Sequence, residues 1–275
     1  MRQRLTLVAI LAVALVAGGC GSDDKKSSGD KTTTTAASDD PGGKIRVVYD
    51  PPANQVAAQA KEILHLGGTD GVAAGFTHSF KLTHNIKVHV VNGFVGPNYN
   101  PQNKTITLSY GFVDFTAGVL KRNFPELRTN DAEFGKQLAA VDGFILVHEF
   151  GHVFVDIFEL PVLGKEEDAA DAVATVFLTR QVKNGDEYAF DAARFFNALS
   201  ARQRHLAPSD YFDEHSLDKQ RAYSIVCLIA GSSEADYKAV AKLGILSQER
   251  EARCPAEYKQ KVTSVEGLLK PHVRA

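Results

Sequence analysis

The sequence predicts an α+β domain, a small N-terminal mixed sheet followed by a mainly helical region. Three observations carry this. Residues 45–49, 86–91 and 104–110 are short runs rich in β-branched side chains, the last two alternating apolar and polar, with Asn, Gly and Pro between them. From Asp131 onward the apolar positions recur instead at near-helical spacing, through Phe134, Leu138, Val141, Ile145 and Phe154, and no proline interrupts residues 131–160. Residues 44–275 have the length of one domain.

Taken in order, the chain opens with a basic Met1-Arg2-Gln3-Arg4, an apolar stretch over residues 5–17, and Gly18-Gly19 before Cys20. Residues 1–19 thus resemble a bacterial lipoprotein signal peptide. Cleavage before Cys20, with lipid on its thiol and amine, would anchor the protein on the extracytoplasmic side of the cell membrane. The apolar run is too short to span a bilayer comfortably. Residues 20–43, which after Cys20 hold no hydrophobic side chain larger than alanine, read as a disordered tether.

Within the domain, residues 45–49 form the first strand and 54–66 a helix. Residues 86–91 and 104–110 are half-buried strands, with Asn98-Tyr99-Asn100-Pro101 as the connection between them. The helix over residues 131–160 is apolar almost all round at Phe144-Ile145-Leu146-Val147, as a buried helix is. Pro161 and Gly164 turn the chain, and residues 165–178 make a second amphipathic helix. Residues 191–199 form a structural helix. Asp213 or Ser216 is placed to cap the helix that follows, which carries residues 224–229.

The buried helix contains His148-Glu149-Phe150-Gly151-His152. Positions i and i+4 share a helix face, so both imidazoles can reach one metal ion. Glu149 flanks that position, where a carboxylate can take a proton from an activated water. Two histidines and a glutamate are costly to bury without partners, and a metal would supply one. The alternative is a pair of hydrogen-bonded core histidines.

A short connection to the next helix makes the two antiparallel and brings its acidic start, Lys165-Glu166-Glu167-Asp168, against the histidine face. Glu167 and Asp171 share a face. Glu167 is the expected third ligand, with Glu166 as the alternative, and Asp171 the acceptor that orients His148 through its other ring nitrogen. Two His, one Glu and an open position make a catalytic Zn2+ site rather than a closed structural one. Acidic residues also favour a helix N-terminus for its own sake, which accounts for Glu166 and Asp168 but not for an acidic pair facing inward.

The stretches HEFGH, LPVLGKEEDAADAVAT and DEHSLDKQRAYSIVCLIAG together resemble a bacterial zinc metallopeptidase family, otherwise a domain of unknown function, from about Ile45 onward. Glu-x-x-x-Asp after H-E-x-x-H is similar to the gluzincin arrangement of thermolysin-like enzymes, which also implies Glu167 as ligand and Asp171 as its supporting partner. The distance from His152 to Glu167 is shorter than in those enzymes, implying a minimal connection. The resemblance implies a zincin-like fold and hydrolysis of peptide bonds. It further implies that His215 donates a hydrogen bond to the oxyanion of the reaction, with Arg221 either the alternative donor or the partner of a local carboxylate. In that fold an edge strand above the metal pairs with the extended substrate, and residues 105–110 are the candidate, the alternative being an ordinary strand of the sheet.

The formal net charge is −2 and no basic cluster stands out, so nothing points to nucleic acid. Beyond Cys20, Cys227 and Cys254 form an even pair in an exported protein, and one disulfide is expected. His78, His84 and His89 lack partners at ligand spacing and are read as surface or loop residues. Expected partners are therefore a peptide or protein substrate and the membrane through Cys20. Two competing readings remain: a non-catalytic surface lipoprotein that binds a partner around a structural zinc site, and a hydrolase acting on a non-peptide amide.

Overall fold

The computed structural model describes residues 42–201 and 206–274; the expected signal peptide, Cys20 and nearly all of the tether lie outside them. The four-stranded sheet has the order β1-β2-β4-β3, formed by β1 (Ile45–Tyr49), β2 (Ile86–Val91), β3 (Asn98–Asn100) and β4 (Thr105–Ser109). β1, β2 and β4 are parallel, and β3 runs antiparallel along β4. Strand alternation gives the sheet one apolar face: Ile86, Val88, Val90, Ile106 and Leu108 are buried, whereas Lys87 is exposed. Helices α1 (Gln55–Leu66) and α2 (Thr69–Ser79) form the crossover between β1 and β2.

Three differences from the sequence reading appear in this half, the first being that Asn98–Asn100, read as a connection, form β3. β4 pairs on both sides, with β2 and with β3, so residues 105–110 are not an edge strand; β3 is the edge on that side of the sheet and β1 on the other. Tyr110 in turn opens a helix, α3 (Tyr110–Asn123), because Ser109 leaves the sheet and caps it, its Oγ accepting from the Phe112 N–H at 3.1 Å.

The helical region is built on α4 (Asp131–Ile157), which Asn130 caps by accepting from Glu133 N–H. This helix is long and apolar enough to cross a membrane, yet 83% of its most apolar window is buried inside the protein, which marks it as the core helix of the domain. Phe76 of α2 meets Phe150 and Phe154 of α4 edge to face at 4.9 and 5.3 Å, joining sheet region and helices in one core. Positive φ at Glu159 (50°) and Gly164 (120°) reverses the chain into α5 (Glu166–Gln181). The remaining helices are α6 (Gly185–Ser200), the short α7 (Pro208–Phe212), α8 (Asp218–Ser232), α9 (Glu234–Leu243), the short α10 (Gln248–Glu251) and α11 (Cys254–Leu269).

Neither Asp213 nor Ser216 caps α8. Leu217 is the cap residue, and the Gln220 side chain accepts from its N–H. The expected disulfide is present: Cys227 of α8 and Cys254 at the start of α11 are bonded, with Cα atoms 5.1 Å apart. At the C-terminus, Val273 bridges Phe80, and Arg274 N–H donates to Ser79.

Candidate metal centre

The site forms where α5 lies across the second half of α4. Gly151 makes the approach possible: a Cβ there would stand 2.8 Å from Ala170 Cα, so any larger residue would push the helices apart. Close contact sets the acidic start of α5 against the histidine face of α4. The pairings His148–Asp171 and His152–Glu166 show that the helices run antiparallel, as the short connection predicts.

His148 Nε2 and His152 Nε2 are 3.3 Å apart. Glu167 places Oε2 3.1 Å from His148 Nε2 and Oε1 3.4 Å from His152 Nε2. One ligand atom from each of these three residues lies within 4.8 Å of the others. Glu167 therefore supplies the third atom. Glu166 lies on the far side of His152, at 2.8 Å from Nδ1, and is not part of this set.

Each histidine is held from behind. Asp171 Oδ1 sits 2.8 Å from His148 Nδ1, and Arg221 in turn grips Asp171 with Nε and Nη2, both at 2.8 Å. All three groups are buried, and the guanidinium lies over the Phe196 ring. Arg221 is thus committed to Asp171 and is not a free donor to substrate. His215 does reach the site: its Nε2 is 3.1 Å from Glu167 Oε2, and it stays half exposed at the rim. Asp213 Oδ1 accepts from His215 N–H, and Lys165 Nζ donates to the carbonyls of Asp213 and His215, both at 2.9 Å.

The electrostatics follow from burial and these contacts. Burial pushes the Asp171 carboxyl up, but Arg221 and His148 outweigh it and hold the pKa at about 2. Burial also raises Glu167, and the adjacent His148 and His152 bring it far below the usual carboxylate range. Desolvation lowers His148, yet Asp171 and Glu167 win and raise it to about 9. Glu149 is raised by burial and held back by His148 and His152.

Two observations test whether these residues fit a metal ion. In the neutral imidazoles, with each Nδ1–H donated to a carboxylate, both Nε2 atoms would present lone pairs to each other, and a cation between them takes the place of the proton that the acidic neighbours of His148 otherwise hold there. Glu167 Oε2 is buried and accepts no hydrogen bond although two imidazole nitrogens stand 3.1 Å away. A tetrahedral ion with bonds of about 2.0–2.1 Å has ligand–ligand edges of about 3.3 Å, which is the Nε2–Nε2 separation of the two histidines. The residues fit.

Glu166 as the partner of His152, Arg221 as the anchor of Asp171, and the Lys165–Asp213 brace behind His215 are visible only in the folded chain. No curated protein and no solved structure matches the sequence. A family model described as "putative metallopeptidase" matches residues 49–269, which include every residue of this site. The chain belongs to that metallopeptidase family.

Proposed function

We propose that this protein is a zinc-dependent peptidase of zincin-like fold, exported and held at the cell membrane by a lipid on Cys20. The reading is carried by three candidate ligand atoms, one each from His148, His152 and Glu167, within 4.8 Å of one another, with the buried Glu149 on the helix of the two histidines. Export and anchoring rest on the sequence of the first 20 residues.

His148 and His152 through Nε2, and Glu167 through its carboxylate, would hold the ion. When bound, zinc supplies Lewis acidity that makes a water acidic near neutrality and polarises a substrate carbonyl. Asp171 and Glu166 keep the two Nδ1 atoms as donors, so that both Nε2 lone pairs face the ligand position. Glu149 accepts the proton of the attacking water at its carboxylate and delivers it to the leaving amine nitrogen. Its burial makes it a stronger base than a surface glutamate, within the limit set by the neighbouring imidazoles. His215 donates from Nε2 to the developing oxyanion, in an orientation kept by Asp213 and Lys165. The antiparallel edge strand β3, rather than β4, receives the extended substrate.

The test is metal content by mass spectrometry followed by peptide-library profiling, with cell-wall fragments alongside. About one zinc per chain, lost in His148→Ala, and cleavage abolished in a zinc-loaded Glu149→Gln protein are expected. A chain that takes up no zinc, or a zinc-loaded Glu149→Gln protein that still cleaves, overturns the reading.

A further inference from the structure

The helix face that carries the metal ligands continues past them. Asp156 stands four residues beyond His152 on α4, so its side chain emerges on the same face about 6 Å further along the axis. It points at the sheet. Asp156 Oδ2 accepts from the Tyr99 hydroxyl at 2.6 Å and from Lys104 Nζ at 2.6 Å. Tyr99 is the middle residue of β3, and Lys104 ends the turn that joins β3 to β4, with φ of 52°. One carboxylate of the ligand helix thus holds the edge strand by its centre and the following turn by its end.

That contact weighs heavily because β3 has little else. It is three residues long, pairs with β4 on one side, and is bracketed by Pro97 and Pro101, whose nitrogens cannot donate to a ladder. All three groups are partly buried, and Lys104 and Tyr99 keep Asp156 ionised by lowering its pKa against the effect of burial. Charge-assisted bonds of this length are the stronger kind.

We propose that Asp156 is a positioning residue which, through Tyr99 and Lys104, sets the place of β3 over the ligand face and so governs capture of a short extended peptide. The inference rests on the peptidase reading and deepens it. The substrate class that fits is a peptide presenting about three residues in β conformation, because the prolines leave no longer template. Asp156 touches neither the candidate ligands nor the reacting atoms; it acts through the strand.

Two hydroxamates separate strand from metal. Acetohydroxamate reports on the ion alone, and a tripeptidyl hydroxamate on the ion plus the strand. In zinc-loaded Asp156→Asn, acetohydroxamate should bind within about twofold of the parent while the tripeptidyl hydroxamate weakens about tenfold, the worth of a lost charge-assisted bond. Tyr99→Phe, which removes one hydroxyl, should shift the tripeptidyl compound the same way by less, with zinc content unchanged. Equal weakening of both compounds, or of neither, overturns the proposal. So does a parent protein that binds the tripeptidyl compound no more tightly than acetohydroxamate, a result that leaves the metal reading standing. Zinc-loaded parent that binds neither compound removes the open position that the peptidase reading requires, and this proposal with it.

Discussion

Replacing Arg221 with alanine tests the deepest layer of the site. Asp171 is 5% exposed, and its carboxylate is satisfied by two guanidinium bonds at 2.8 Å and by His148. Removing one partner of such a buried pair leaves an uncompensated charge and costs about 3–5 kcal/mol. For a domain of this size each kcal/mol lowers the melting temperature by about 2–4 °C, so a fall of about 10 °C is expected. Zinc affinity should fall about tenfold or more, since His148 loses the fixed acceptor that orients it.

The pH dependence has a definite sign. A folded-state pKa of about 2 for Asp171, against an ordinary 3.8, contributes about 2 kcal/mol that is present above pH 4 and lost as pH falls toward 2. In Arg221→Ala that contribution disappears, and destabilisation relative to the parent should be largest at neutral pH. The assay is thermal unfolding of metal-free protein from pH 3 to 8, with the double variant Arg221→Ala/Asp171→Asn beside the single one. The double variant should be the more stable of the two at pH 7. Equal stability of both variants across that range would refute the argument that an unpaired carboxylate carries the cost.

Four further outcomes are expected. Glu166→Ala should weaken zinc binding about tenfold in a chelator competition while Glu166→Gln, which keeps an acceptor for His152 Nδ1–H, stays near the parent; equal loss in both would assign the effect to charge instead. His215→Phe should keep its zinc and lose about a hundredfold in kcat, and unchanged kcat would remove it from the oxyanion role. Asp142, buried on α4 with Oδ2 unpartnered, has a pKa pushed up to about 8 by burial, above its ordinary 3.8. Stability should therefore fall with rising pH between about 4 and 8, by about 1.4 kcal/mol per unit, and urea unfolding of Asp142→Asn should lack that slope. Loss of the Cys227–Cys254 bond, which spans 27 residues, should cost about 3.5 kcal/mol in the urea unfolding of a Cys227→Ser/Cys254→Ser protein.

The parts of the site legible in the sequence are those set by helical periodicity. His148 and His152, and Glu167 and Asp171, are each four apart, and a three-dimensional neighbourhood follows from spacing alone once the connection is short. Arg221 is 50 residues from Asp171, and only the packing of α8 on α5 brings them together. Glu166 was legible as a candidate but not in its role, because whether a carboxylate meets Nε2 or Nδ1 depends on how deeply α5 seats against Gly151. The edge strand was misread for a different reason. Asn98-Tyr99-Asn100 between two prolines has the composition of a turn, and it is held as a strand by β4 on one side and by Asp156 beneath. Helices α2 and α3 passed unread, although the Ser109 cap was there to be seen.

The arrangement also weighs on whether the site works or merely holds the fold together. A structural zinc site is closed by four protein ligands and has no use for a further acid beside it. Here three ligand atoms converge within 4.8 Å, and His215, the next candidate donor, stands outside that set on a half-exposed rim segment. Glu149 is buried with a raised pKa one residue from His148, where an isosteric apolar side chain would fill the same space at lower cost. A fold that needed the ion only as a staple has no reason to keep that carboxylate there. Hydrolysis would need a base of raised pKa beside the metal position, and under the proposed function the buried Glu149 is that base.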